Sequence, residues 1–335
     1  MRVVVEGAVF AALSNTLALA QLLNFAVDRR HTILIQPDFQ RYDPDSAINR
    51  WLMRQSQELR EAFQLGLETS LQAEARDFDR DVTVLISAES QPATIAESTA
   101  RIFRLPLAAA NAFLAQPLRI LVENARNDRA FILRMLPTTW RDQLEQYEAE
   151  RWVEFVSGGG LGELKKSLQI LTTRPAHERS RRIAIFDSDA REPRKPSKES
   201  ESVRDDCQRL DVACHQLARR AAENYIPLPA LLAWTSIIPQ NTPPTRCLQG
   251  FRKLNAQQRH HFNMRDGLKK DAKAGVSPLY HDLPAEVHEN LLVGFGDKVR
   301  DLFAHDQVTI TDAWLDEDGL QNERNALTQA IFRRL

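Results

Sequence analysis

The sequence predicts an α/β protein whose parallel sheet is flanked by helices, and three observations carry that expectation. Short apolar runs bounded by charge occur at LRILVEN (118–124), WVEFVSGGG (152–160) and RRIAIFDSDA (181–190). Runs of this length read as buried strands of a parallel sheet. Segments with helical spacing of apolar residues separate them: NDRAFILRML (127–136), WRDQLEQYEAERW (140–152) and GELKKSLQIL (162–171). Asn127 and Asp128 in the first turn of the earliest of these suit a helix start. Strand, helix, strand, helix, strand implies right-handed crossovers and hence parallel strands.

The 335 residues have room for more than one domain, and the texture divides them into 1–115, 116–240 and 241–335. The opening MRVVVEGAVFAALSNTLALAQLL reads as a strand followed by a core helix. It is a poor signal peptide, because Glu6 interrupts the apolar region and Arg2 alone supplies the positive end. No stretch approaches the ~20 apolar residues of a membrane-spanning helix. HTILI (31–35) and VTVLI (82–86) read as strands, and WLMRQSQELREAFQLGLETSLQAEA (51–75) as an amphipathic helix between them. Residues 1–115 thus form a mixed α/β unit with no catalytic constellation, suited to a partner-docking or regulatory role.

Composition excludes several classes. A formal net charge of −1 gives no global pull toward nucleic acid or membrane, so any such binding must be local. Cys207, Cys214 and Cys247 are too few and too scattered for a disulfide framework or a zinc site, and they fit a reducing cytoplasm. REPRKPSKESESVRDD (191–206) reads as a flexible loop, and CQRLDVACHQLARRAAENYIP (207–227) as helical up to Pro227. Residues 241–273 carry eight Lys/Arg against two acidic residues, a local +6. From about 281 the chain turns acidic and mostly helical, with a GFG turn at 294–296, and no internal repeat is visible.

In an open parallel sheet, ligands bind beyond the carboxyl ends of the strands. Glu123 ends the first of the three runs, Gly158, Gly159 and Gly160 the second, and Asp187 and Asp189 the third. All three features fall on one edge. Clustered carboxylates cannot all stay ionised in a partly desolvated site without a cation, because each raises the pKa of the others. Hard oxygen ligands with vacant positions suit Mg²⁺ or Mn²⁺. The glycines allow close backbone approach to a phosphate or metal. They do not form a nucleotide-hydrolysing loop, since Leu164 precedes Lys165 and the Gly-Lys-Ser/Thr ending is absent.

This order resembles the TOPRIM domain of topoisomerases, primases and overcoming-lysogenization-defect-type nucleases, a Rossmann-like parallel sheet. The matching features are Glu123 closing the first strand, the glycine turn Ser157 to Gly160 after the second, and Asp187-Ser188-Asp189 closing the third. The nuclease branch carries a further acidic residue shortly after the first Glu, and Asp128 is the nearest match, five residues on rather than four. RRAAENYIP (219–227) is similar to the Arg-x-x-Glu-Asn-Tyr-hydrophobic stretch that follows Asp-x-Asp in that branch, which marks Glu223. The resemblance covers roughly 117–235.

The resemblance implies metal-dependent phosphodiester hydrolysis that leaves 5′-phosphate and 3′-hydroxyl ends. Glu123, Asp187 and Asp189 would hold one ion, Asp128 and Glu223 would help hold a second, and Glu123 would also accept a proton. The basic segment, with Arg252, Lys253, Arg259, His260, His261, Arg265, Lys269 and Lys270, would carry DNA or RNA. Free-standing nucleases of this kind resemble antiviral defence effectors against phage, gated by a trigger, a homo-oligomer or a separately encoded ATPase. A topoisomerase nucleophile finds no context at Tyr42, Tyr147, Tyr225 or Tyr280, and three scattered cysteines cannot build a primase zinc module.

Plainer readings stand beside these. Glu223 suits a helix face paired with Arg219, Asp128 a helix N-terminal charge, and the basic run a solvated helix face. Glu6 is structural: Asp43-Pro44-Asp45 has no strand before it, and DFDRD (77–81) precedes its strand. FDSDA also fits an aspartate-nucleophile phosphatase of the haloacid dehalogenase type, but Arg191 stands where Thr or Val is usual. A non-catalytic subunit that keeps the fold is the alternative from another class.

Overall fold

Val3, Val4 and Val5 give the first strand a continuous buried face, and the sheet of the N-terminal region is built outward from it. The structure is a computed structural model that describes residues 1–12, 15–36, 43–75, 81–88, 93–96, 101–272, 275 and 277–335. Tyr42, Asp77 and Asp79 lie outside the described residues. The chain divides into two units: Met1–Leu118 with Arg174–Arg181 and Ile331–Leu335, and Arg119–Thr173 with Arg182–Ala330. The stretch 241–330 therefore belongs to the second unit.

The first unit carries β1 (Arg2–Glu6), β2 (Thr32–Gln36), β3 (Val82–Ser87), β4 (Ala93–Ala96) and β5 (Arg101–Pro106) in the order β2-β1-β3-β5-β4. β1 lies parallel to β2 and β3, and β3 parallel to β5, while β4 closes the edge antiparallel. Strands β4 and β5 were not legible in the sequence. The opening residues do fold as strand then helix (Thr16–Val27), and Leu22, Leu23, Ile33, Trp51, Phe63 and Val84 fill the core.

The second unit carries β6 (Leu118–Val122), β7 (Val153–Ser157), β8 (Arg182–Phe186) and β9 (Ala213–Gln216) in the order β7-β6-β8-β9. β8 runs parallel to both β6 and β9, with Ile120 opposite Ile183 and Ile185 opposite His215. The parallel strands of both units thus share one order: second, first, third, fourth. Helices Leu161–Ile170 and Lys198–Leu210 pack on each other through Leu164, Leu168, Val203 and Cys207, over Leu121 and Ala184.

Two sequence expectations fail here. The stretch expected as a flexible loop becomes helix from Lys198, because the Ser197 side chain caps it by accepting from the Ser200 N–H at 3.1 Å. The helix expected to run to Pro227 stops at Leu210, where Asp211 turns left-handed at φ 58°. ACHQ then forms β9, and Ala222–Tyr225 is a single 3₁₀ turn. Among the described residues no helix is long and apolar enough to cross a membrane.

Candidate metal centre

Glu123 follows β6, and the glycine turn after β7 holds its main chain. Gly158 N–H donates to the Val122 carbonyl at 2.6 Å, and Gly159 and Gly160 N–H donate to the Glu123 carbonyl at 2.9 and 3.3 Å. Gly160 has φ 101°, a conformation that favours glycine. These N–H groups are therefore spent on β6 and form no open cradle for a phosphate. One residue on, Asn124 caps helix Ala125–Met135 by accepting from Asn127 N–H at 3.2 Å. In return its own N–H donates to Asp128 Oδ2 at 2.7 Å, which aims the buried Asp128 back at the strand end.

The Asp187-Ser188-Asp189 turn after β8 is fixed as closely. Asp187 N–H donates to Glu123 Oε1 at 3.1 Å, and Asp187 Oδ1 accepts from Ala222 N–H at 3.0 Å. Ser188 Oγ donates to the Arg219 carbonyl at 2.7 Å, and Asp189 N–H to the Arg220 carbonyl at 2.8 Å. These bonds lay the loop after β9 across the end of β8. They deliver Glu223, 2 % exposed, to the same place.

A positive charge does sit among the carboxylates, and it is Arg300. Its guanidinium lies 2.8 Å from Glu223 Oε1 through Nε, 3.6 Å from Asp128 Oδ1 and 3.9 Å from Asp187 Oδ2. It comes from the 3₁₀ helix Asp297–Ala304, which is anchored by buried Val299 and Leu302 and by Phe303 packed on Phe131. Glu223 thus pairs with Arg300, while Arg219 pairs with Asp318 at 2.6 Å.

One guanidinium does not balance this much negative charge. Burial first, then the charges of Asp189 and Asp128, push the Glu123 pKa up to about 7. Burial, with Glu123 and Glu223 close by, holds Asp187 well above the usual carboxylate range. Burial also raises Asp128 and Asp189. For Arg300 burial alone would lower the pKa, but Glu223, Asp187, Asp128 and Glu123 raise it.

A cleft of about 420 Å³ opens beside the cluster. Glu123, Asp187, Asp189 and Glu223 line it, as do Arg191, Arg220, Arg265, Lys270 and Arg300. Of the basic residues singled out in the sequence, only Arg265 and Lys270 reach it, and both are paired, with Asp297 and Asp266 at 2.6 Å each. Arg252, Lys253 and Lys269 are exposed away from the cleft, and Arg259 lies over the Phe251 ring. His261 is buried with Nδ1 2.9 Å from the Ala190 carbonyl. Burial, then Arg219, lower His260 to about 4, so it carries no charge at neutral pH.

The basic segment is nonetheless tied to the cluster. Arg220 donates to both oxygens of Asp271 at 2.6 and 2.8 Å, and its N–H to the His260 carbonyl at 3.0 Å. Asn224 Nδ2 donates to the Arg259 and Phe262 carbonyls at 2.8 and 2.9 Å. Sequence reasoning missed Arg300, Arg220 and Asp271. Asp271 lies in the segment read as basic, and Arg300 had no signal of its own beyond a GFG turn. That turn fixes the neighbouring chain: Phe295 and Gly296 N–H donate to the Met264 and Arg265 carbonyls at 2.7 and 2.9 Å.

The donor set is all carboxylate oxygen, with more negative charge than Arg300 neutralises, which fits a hard divalent ion such as Mg²⁺ or Mn²⁺. Among the described residues no three His, Cys, Asp or Glu side chains converge as a ready cage for an ion. Comparison of the chain with protein-family models, curated proteins and solved structures returned no match.

Proposed function

We propose that the second unit is a TOPRIM-like nuclease centre that hydrolyses phosphodiester bonds with Mg²⁺ or Mn²⁺. The observation that carries this reading is the gathering of Asp128, Asp187 and Glu223 around Arg300, with Glu123 joined to Asp187 by a hydrogen bond, at an edge where one charge only partly offsets them. Glu123, Asp187 and Asp189 are the residues to hold one ion, and Asp128 with Glu223 those to help hold a second. When bound, such ions supply Lewis-acid stabilisation of charge on the phosphate oxygens.

The chain's own groups divide the remaining work. Glu123, at the rim of the cleft, is the group to accept a proton from attacking water. The water oxygen bonds to phosphorus, the bond to the 3′-oxygen breaks, that oxygen takes a proton from solvent, and the products carry 5′-phosphate and 3′-hydroxyl ends. Arg191 and Arg220, which also line the cleft, suit a phosphate backbone. The exposed Arg252, Lys253 and Lys269 add affinity that is independent of sequence. We place this activity in a gated effector, with the N-terminal unit as the region that meets a regulatory partner.

The test is a cleavage assay on plasmid, single-stranded DNA and total RNA with Mg²⁺ or Mn²⁺, run beside Asp187→Ala and a chelator control. Cleavage lost in both controls supports the reading and identifies the substrate. Cleavage that survives Asp187→Ala sinks it.

A further inference from the structure

Arg300 differs from Arg219 and Arg220 in how it is held. Arg220 grips Asp271 with two aligned hydrogen bonds, and Arg219 donates to Asp318 Oδ2 at 2.6 Å and to the Asn224 carbonyl at 2.7 Å. Arg300 Nε, by contrast, is buried 2.8 Å from Glu223 Oε1 without the alignment of a hydrogen bond. Its contacts to Asp128 and Asp187, at 3.6 and 3.9 Å, are longer still. Charge rather than directional bonding keeps the guanidinium there. Aligned, bidentate pairs are the strong ones.

We propose that Arg300 is an internal counter-ion occupying the place of the metal, so that ion loading and withdrawal of this side chain are two sides of one equilibrium. The inference rests on the metal-site reading above and names the regulation of that site. Three carboxylates from three separate elements, Asp128 on a helix, Asp187 at a strand end and Glu223 on a 3₁₀ turn, meet at this one cation. A divalent ion bound to the same oxygens would stand within a few ångströms of the guanidinium, where two cations repel strongly in a partly buried site. The two compete for the same oxygens. Val299, Leu302 and Phe303 anchor the helix, so the exchange is assigned to the Arg300 side chain. Whatever offers the guanidinium another anion, a phosphate entering the cleft included, therefore favours the loaded state.

Mn²⁺ binding to the full chain, measured by calorimetry with melting temperature read alongside, tests this. Wild type is compared with Arg300→Ala, Arg300→Gln and Asp187→Asn. The Gln variant keeps a hydrogen-bonding stem without the charge and guards against a folding defect in the Ala variant. The expected result is Mn²⁺ affinity raised about tenfold or more in both Arg300 variants, since each like charge removed at close range is worth at least that. Mn²⁺ should also raise their melting temperature more than it raises that of the wild type, and Asp187→Asn should abolish binding. Arg300 variants that bind Mn²⁺ no more tightly than wild type overturn the exchange while leaving the metal site standing. Absence of binding in wild type and Arg300 variants alike overturns both.

Discussion

The backbone N–H of Asp187 donates to Glu123 Oε1 at 3.1 Å, so the carboxylate that ends β6 is held by the main chain that ends β8. Two adjacent strands thereby share one acidic site, and the bond partly offsets the burial that raises the Glu123 pKa.

Glu123→Gln and Asp187→Asn keep the acceptor oxygens of these hydrogen bonds and remove one charge each. Cleavage should disappear, and Mn²⁺ affinity should fall by about a hundredfold or more, since even partners of a ligand cost 10–100-fold. Melting temperature in the absence of metal should stay level or rise, because repulsion is relieved. Loss of folding in either variant would contradict this account.

The raised carboxylate pKa values set a pH dependence. Folded Glu123 holds its proton up to about 7 against an ordinary value of 4.5, and Asp187 is shifted the same way. The folded state therefore binds more protons than the unfolded one in that window, and stability falls as pH rises through it. The loss from Glu123 alone is at most about 3 kcal/mol. Urea midpoints measured without metal from pH ~5 to ~8 should decline, and saturating Mn²⁺ should remove the decline and release protons on binding.

Asn224 joins the Glu223 turn to the basic segment, with Oδ1 accepting from Ala221 N–H at 3.1 Å and Nδ2 donating to two carbonyls. Asn224→Ala leaves buried partners unpaired and should cost roughly 2–4 kcal/mol. Urea denaturation gives the number. Calorimetry should show weaker Mn²⁺ binding as the Glu223 turn loosens.

Nucleic-acid affinity separates the surface residues by role. Arg252→Ala, Lys253→Ala and Lys269→Ala should each lower the slope of log affinity against log salt by about one, uniformly across sequences. His261→Ala should leave that slope unchanged and lower the melting temperature, because its ring is buried against Ala190.

Much of this was readable in the chain. The α/β class follows from apolar runs alternating with helical spacing, and Glu123 and Asp187, written at strand ends, are joined by a hydrogen bond, while Asp128 comes from a helix and Glu223 from a 3₁₀ turn. The helix Lys198–Leu210 was hidden by its composition: prolines and serines before it and charge along it masked a buried stripe of Ser200, Val203, Cys207 and Leu210. Its spacing was present, and only its polarity misled. β9 was missed because ACHQ is short and carries no unbroken apolar run. Arg300 was beyond reach for a different reason. An arginine 113 residues after Asp187, on a charged segment, has no local pattern that distinguishes it from a solvated one.

The hold of the glycine turn on the carbonyls of Val122 and Glu123 has a consequence for how such a centre can change. The scaffold that sets the spacing of the acidic groups is made of peptide atoms common to every residue type, so the mounting survives when what is mounted on it is exchanged. Amide, histidine or shorter acid at Glu123 inherits the same coordinates for its Cα. A lineage, or an engineer, can alter ion preference or silence the chemistry at this edge without rebuilding the sheet beneath it.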